Sequence, residues 1–181
     1  MALSIEIRND EVYIVEAKVT INKVSIKKMH MFPFPDKYVD FMGIRNKEDF
    51  SALLKQNLDE LGTKEESCII CMNNSSIIYR EIFLPKVDSK KLPLLVRNQM
   101  ISVLNLTPNY VMDFVILEEV SVEEDPMYRI LAVAVLEEVI ESYLETFRKA
   151  GLKVDIIDSA TNAVIKFLDL SGVSKMQGQM I

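Results

Sequence analysis

Two thiols and one imidazole are the only Cys and His side chains in the 181 residues. Cys68 and Cys71 stand in SCIICM as a C-x-x-C pair, the spacing of a dithiol redox centre or of half a tetrahedral zinc site. The flanking Ile69, Ile70 and Met72 make the same run a buried strand. Residues three apart on a strand point to opposite faces and cannot share a metal, so both cysteines are expected to be structural. His30, in KKMHMF, has no partner for catalysis or metal binding and reads as a strand-surface residue. Glu118-Glu119 and the run Glu123 to Asp125 read as a solvated strand end and loop. With 1 His and 5 Gly, histidine triads, multi-histidine metal sites and glycine-rich phosphate cradles are excluded. No catalytic residue and no metal ligand is assigned.

The composition is that of an ordinary globular chain: 49% hydrophobic, 27% charged, and a formal net charge of -6 from 21 basic and 27 acidic residues. An acidic balance argues against nucleic acid as the partner, because that affinity is carried by surplus Lys and Arg. MALSIEIRND lacks the basic-then-apolar pattern of a secretory signal, and no stretch reaches the roughly 18 to 20 apolar residues that span a bilayer. A cytoplasmic location is expected, consistent with reduced core thiols.

The elements that position these groups follow from periodicity and turn residues. Leu3, Ile5, Ile7 and then Val12, Ile14, Ala17 alternate around Asn9-Asp10, which predicts a hairpin, and a third strand is expected from Lys23 to Phe32. Pro33 and Pro35 mark an irregular connection to Gly43. Asn46 caps a helix carrying Phe50, Leu53, Leu54, Leu58 and Leu61, and Gly62 stops it. Strands over 67–72 and 76–84 precede a helix opening at Asp88-Ser89, with Pro93 in its first turn and Leu92, Val96, Met100, Val103 and Leu104 on one face. A strand pair over 110–120 and 128–135, joined by the acidic loop to Pro126, leads to a strongly amphipathic helix over 137–150 capped by Gly151. A strand at 154–157 and a helix from Ala160 to Leu168 close the pattern. The order of elements predicts a mixed α/β fold with antiparallel hairpins and a parallel crossover.

Several segments resemble the type IV pilus assembly protein PilM family, actin-like proteins related in design to the division protein FtsA. MGIRNKEDFSALLKQNLDELG is similar to the family's glycine-then-helix segment. SIIYREIFLPKVDSKKLPLLVRNQMISVLNLTPNYVMDFVILEE matches its strand ending in Leu-Pro, helix, and Asp-containing strand, and YRILAVAVLEEVIESYLETFRKAGLKVDIIDSATNAVIKFL matches its closing run. The resemblance covers about residues 3 to 170. It implies half of an actin-like (RNase H-like) fold, a mixed sheet with flanking helices plus an inserted α+β subdomain. The core is expected at 1–84 and 151–170, the insertion at 85–150, and 171–181 as a tail or the start of a second half.

The chain departs from the family at the first hairpin, where Glu6 and Arg8 stand in place of the usual Asp and Gly. A bulky Arg8 cannot make the close backbone approach to phosphate that glycine permits. Arg8, Asn9 and Asp10 are thus a degenerate phosphate hairpin. No cofactor is expected for this chain, with ATP and Mg entering only alongside a second half.

By the resemblance, the function expected is a non-enzymatic cytoplasmic scaffold at the inner membrane that captures the N-terminal tail of a PilN-like partner and meets other pilus assembly proteins. Contact with the membrane would be indirect, through those partners. The peptide is expected in a groove between the two subdomains, with Tyr79, Arg80, Phe83 and Leu84 on the strand and Arg97 and Met100 on the following helix as its contacts. Two alternatives are the cytoplasmic domain of a GspL-type bitopic secretion protein and an actin-superfamily nucleotide-binding enzyme, for which Glu6 or Asp10 would supply the carboxylate.

Overall fold

The computed structural model describes residues 1–170 apart from Asn9, Asn22, Glu123 and the side chain of Asp169. The expectations for Asn9, for Glu123 and for the tail 171–181 fall outside the described residues. Two compact units are present: Met1–Asn74 with the described residues from Ser142, and Ser75–Glu141. The insertion is expected at 85–150; the smaller unit spans Ser75–Glu141, from before the strand Ile78–Pro85 into the helix Glu137–Lys149.

The larger unit is built on a five-stranded sheet. β1 (Ala2–Ile7), β2 (Glu11–Thr20) and β3 (Lys23–Pro33) form an antiparallel meander, and β6 (Ser67–Met72) and β10 (Lys153–Ser159) extend it on the other side of β1. β1 pairs antiparallel with β2 and parallel with β6, and β6 pairs parallel with β10. The irregular connection after β3 contains one 3-10 turn and a two-residue pair, β4 (Val39–Asp40) with β5 (Gly43–Ile44). Parallel neighbours require crossovers, and helix α1 (Lys47–Leu61) supplies the first. Asn46 caps it through Asp49 N–H, and Gly62 ends it in the left-handed region at φ 63°, a conformation that costs glycine nothing.

Leu3, Ile5, Ile7, Val12 and Ile14 point to one sheet face, where Phe50 and Leu54 of α1 join them in the buried core. Phe34 meets Phe50 edge-on at 5.2 Å, a favoured aromatic geometry. Tyr143 and Phe147 of α3 (Glu137–Lys149) complete this core, and burial pushes the Tyr143 phenol up to about 12. Ser142 Oγ accepts the Ile44 N–H at 3.0 Å, and Lys47 pairs with Glu145 at 2.6 Å, so α3 is fixed to the start of α1. Gly151, at φ 88°, reverses the chain after α3, and Leu152 N–H returns to Phe147 O at 2.9 Å. After β10, α4 (Ala160–Leu170) begins with Ser159 Oγ accepting Asn162 N–H.

The two cysteines behave as read. Cys68 lies in the core with Ile70 and Met72, while Cys71 sits on the opposite face of β6. Burial raises the thiol of Cys68 to about 12 and that of Cys71 to about 11. His30 departs from its reading: its Nε2 lies 2.7 Å from Oδ1 of the buried Asn57 on α1, so it faces the helix side of β3 and has a polar partner.

The smaller unit is a three-stranded antiparallel sheet in the order β7-β9-β8, with β7 (Ile78–Pro85), β8 (Tyr110–Val122) and β9 (Asp125–Leu136), covered on one face by α2 (Leu92–Leu104). The helix starts at Leu92 and not at Asp88. Pro93 lacks the N–H that would bond to Ser89 O, so Asp88 instead closes a turn, accepting Lys90 N–H on Oδ1 and Lys91 N–H on its carbonyl. β8 and β9 also run longer than expected, pairing as far as Val122 with Asp125, with Glu124 at φ 76°. Asp125 and Pro126, expected in the acidic loop, are thereby residues of β9.

Removing the Phe50 ring is expected to lower the free energy of unfolding by about 3 to 5 kcal/mol, and Asn46→Ala by about 1 kcal/mol, read from urea midpoints. Because the thiols stay protonated until pH approaches about 11 for Cys71 and about 12 for Cys68, native protein at pH 8 should react with an aromatic disulfide reagent far more slowly than a free thiol. Both should react at once in denaturant. Rapid labelling of either in the native state would show that the thiols are not held in this packing.

Candidate peptide-binding surface

All six residues expected to touch a peptide belong to the smaller unit, but the alternation of β7 separates them. Ile82 and Leu84 point toward α2, where Val96 and Met100 meet them along with Ile130, Ala132 and Ala134 of β9. Leu84 is 6% exposed and Met100 fully buried, whereas Tyr79 and Phe83 are 38% and 46% exposed. Leu84 and Met100 therefore hold the strand to the helix, and Tyr79 and Phe83 face away from α2. Arg80 is exposed on β7, which pairs only with β9 among the described residues. Its outer backbone edge is thus unpaired, a template for an added strand.

Arg97 has a different task. Its guanidinium donates to the carbonyls of Pro108 at 2.5 Å and of Tyr110 at 3.1 Å. It satisfies backbone acceptors where the chain leaves α2 and enters β8, fixing the connection. The structure thus brings Tyr79 and Phe83 together on the face of β7 away from α2, sets Arg80 opposite Ala132 on the other face with Leu84 and Met100, and commits Arg97 to the loop.

The register shows what surrounds Tyr79 and Phe83. Across the three strands, Tyr79 stands opposite Val133 and then Asp113, Glu81 opposite Leu131 and then Val115, and Phe83 opposite Arg129 and then Glu118. Directly opposed residues share a face, so the uncovered side is a lattice of apolar and charged positions. Arg129 holds Glu81 with two bonds of 2.8 and 2.9 Å and reaches Glu118 at 2.6 Å. These bonds raise the Arg129 guanidinium above its ordinary value and hold the Glu81 carboxyl below its own. Sequence reading missed this triad because its members are 48 and 11 residues apart and only the strand register joins them.

The first hairpin was the other expected site. Arg8 forms a forked pair with Glu6 at 3.0 and 3.2 Å and lies 4.4 Å from the Tyr13 ring centre, while Tyr13 donates to Glu11. The Glu6 contact raises the Arg8 guanidinium. A phosphate brought to this turn would meet the carboxylates of Glu6, Asp10 and Glu11 and a guanidinium already engaged, and the first glycine of the chain is Gly43. These residues do not fit a nucleotide phosphate.

Comparison with known proteins places this arrangement. The family model for type IV pilus assembly protein PilM matches residues 4–174. A chain of the PilM-PilN type IV pilus biogenesis complex has a TM-score of 0.84 at 24% identity, covering 94% of this chain and 50% of that chain. The cytoplasmic domain of EpsL, an inner membrane component of the type II secretion system of Vibrio cholerae, has a TM-score of 0.52 at 9% identity, covering 86% of this chain and 56% of that one. A search of curated proteins found no match. The chain therefore spans about half the length of these solved structures, and its mixed sheet with flanking helices corresponds to half of an actin-like fold. By the match across nearly all its described length, this chain belongs to the type IV pilus assembly protein PilM family.

Proposed function

We propose that the chain is a non-enzymatic cytoplasmic scaffold of the type IV pilus assembly platform, and that its smaller unit captures the N-terminal cytoplasmic tail of a PilN-like membrane protein. The observation that carries this reading is an unpaired edge strand bearing exposed Tyr79 and Phe83 in a chain whose family match spans residues 4–174. The solved relative described as a PilM-PilN complex supports the choice of partner. An extended tail adds main-chain hydrogen bonds to the outer edge of β7, and alternate side chains reach Tyr79 and Phe83 on the open face. Arg80 lies along the same edge for an acidic or carbonyl group of the tail. Leu84 and Met100 contribute from below by holding β7 against α2. The ordering cost of a short tail offsets most of the gain from so small a surface, giving affinity of roughly micromolar strength.

The type II secretion likeness is one of fold, at 9% identity, whereas the family match is specific to pilus assembly. The engaged guanidinium and the carboxylates at the first hairpin speak against the nucleotide-dependent reading.

Fluorescence anisotropy with a labelled N-terminal peptide of the PilN-like protein tests the proposal. The double change Tyr79→Ala, Phe83→Ala is expected to weaken binding by roughly tenfold to a hundredfold, with little change in the urea midpoint because both side chains are substantially exposed. Undiminished binding would remove β7 from the site. Arg80→Glu is expected to weaken binding with no loss of stability. In a separate titration, Mg-ATP should produce no saturable signal with this chain, and submicromolar binding would overturn the non-enzymatic reading.

A further inference from the structure

The pairing of β1 with β2 ends at Ala2 opposite Ala17, but β2 and β3 continue beyond it, through Lys18 opposite Ser25 and Val19 opposite Val24 to Thr20 opposite Lys23. The end of the hairpin is therefore a two-stranded ribbon with no neighbouring strand on the β1 side among the described residues. Its two faces differ. Val19, Val24 and Ile26 share one face at 58%, 62% and 57% exposure, and Ile21 beyond β2 is fully exposed. Lys18, Thr20, Lys23 and Ser25 occupy the other.

A β-bulge opposite Glu16 and Ala17 makes Lys27 an extra residue on β3. The shift in phase keeps Met29 and Met31 on the same face as Val24 and Ile26, and both are exposed. An exposed apolar stripe thus runs about 20 Å along one edge strand. No acidic residue occurs between Ala17 and Pro35, although the chain carries a net charge of -6. Lys28 is engaged by Glu16 and the Gly62 carbonyl, whereas Lys18, Lys23 and Lys27 are exposed and have no ion-pair partner among the described residues.

We propose that this ribbon is a membrane-contact element that inserts its apolar end into an anionic lipid surface. Ile21 leads, Val19 and Val24 follow, and the three lysines reach the headgroups along their aliphatic stems. A ribbon that extends beyond β1 can enter a deformable surface, and the local positive charge selects a negative one over distances short enough to escape the acidic remainder of the chain. This inference is independent of the peptide site, since the ribbon belongs to the larger unit and shares no residue with β7.

Sedimentation of the chain with phosphatidylcholine vesicles containing about 30% phosphatidylglycerol tests it, with pure phosphatidylcholine vesicles as the neutral arm. Binding to the anionic vesicles is expected to fall roughly a hundredfold in Lys18→Gln, Lys23→Gln, Lys27→Gln. The change Val19→Ser, Ile21→Ser, Val24→Ser is expected to reduce it roughly tenfold. Unchanged thermal midpoints would confirm that both variants fold, as the exposure of these residues requires. No binding to anionic vesicles, equal binding to both vesicle types, or binding unaffected by either variant would overturn the proposal. So would concentration-dependent self-association that is lost in the Ser variant while vesicle binding persists, because the ribbon would then be a contact between copies of the chain.

Discussion

The architecture depends on one strand used on both edges. β1 gives its hydrogen bonds antiparallel to β2 and parallel to β6, while Leu3, Ile5 and Ile7 fill the core beneath it. The antiparallel side can be closed by a short hairpin, but the parallel side demands a crossover. That requirement places α1 between β3 and β6, and it calls for a second crossover between β6 and β10. The second is where the smaller unit enters, with α3 leading the chain back to the sheet. A disruption of the β1 core positions would therefore undo both halves of the sheet at once.

The smaller unit shows how a sheet with a single covering helix acquires a surface for binding. α2 covers the face carrying Ile82, Leu84, Ile130, Ala132 and Ala134. The opposite face carries larger side chains and has no covering element among the described residues of that unit. On that face Arg129 binds Glu81 and Glu118 across three strands. These are exposed pairs, worth little to stability, and one guanidinium shared by two carboxylates leaves a net negative charge beside Phe83.

Charge is distributed in the same spirit over the larger unit. Three acids and a committed arginine occupy the first turn, whereas the far end of the β2–β3 hairpin carries lysines and no acid. β2 therefore runs between regions of opposite character. One lacks the features a phosphate would need, and the other combines exposed aliphatic residues with lysines that have no ion-pair partner among the described residues.

Much of this was legible in the residues. Helices α1 and α3 announced themselves through apolar spacing and through Asn46, Gly62 and Gly151, because caps and stripes are local properties of a helix. The resemblance carried the family and half-fold, which no local pattern could have supplied. Local reasoning failed where backbone pairing or proline geometry overrode side-chain pattern, as at the start of α2 and in the extension of β8 and β9 to Val122 and Asp125. The candidate site was legible only as a segment. Sequence determined that residues 79–84 form an apolar strand before a helix. Tertiary structure alone decided that Leu84 and Met100 are interior, that Tyr79 and Phe83 are outward, and that Arg97 serves the loop carbonyls. The reason is physical: a strand's two faces are equivalent until something packs on one of them, and which face α2 covers is fixed by contacts among elements far apart in the chain.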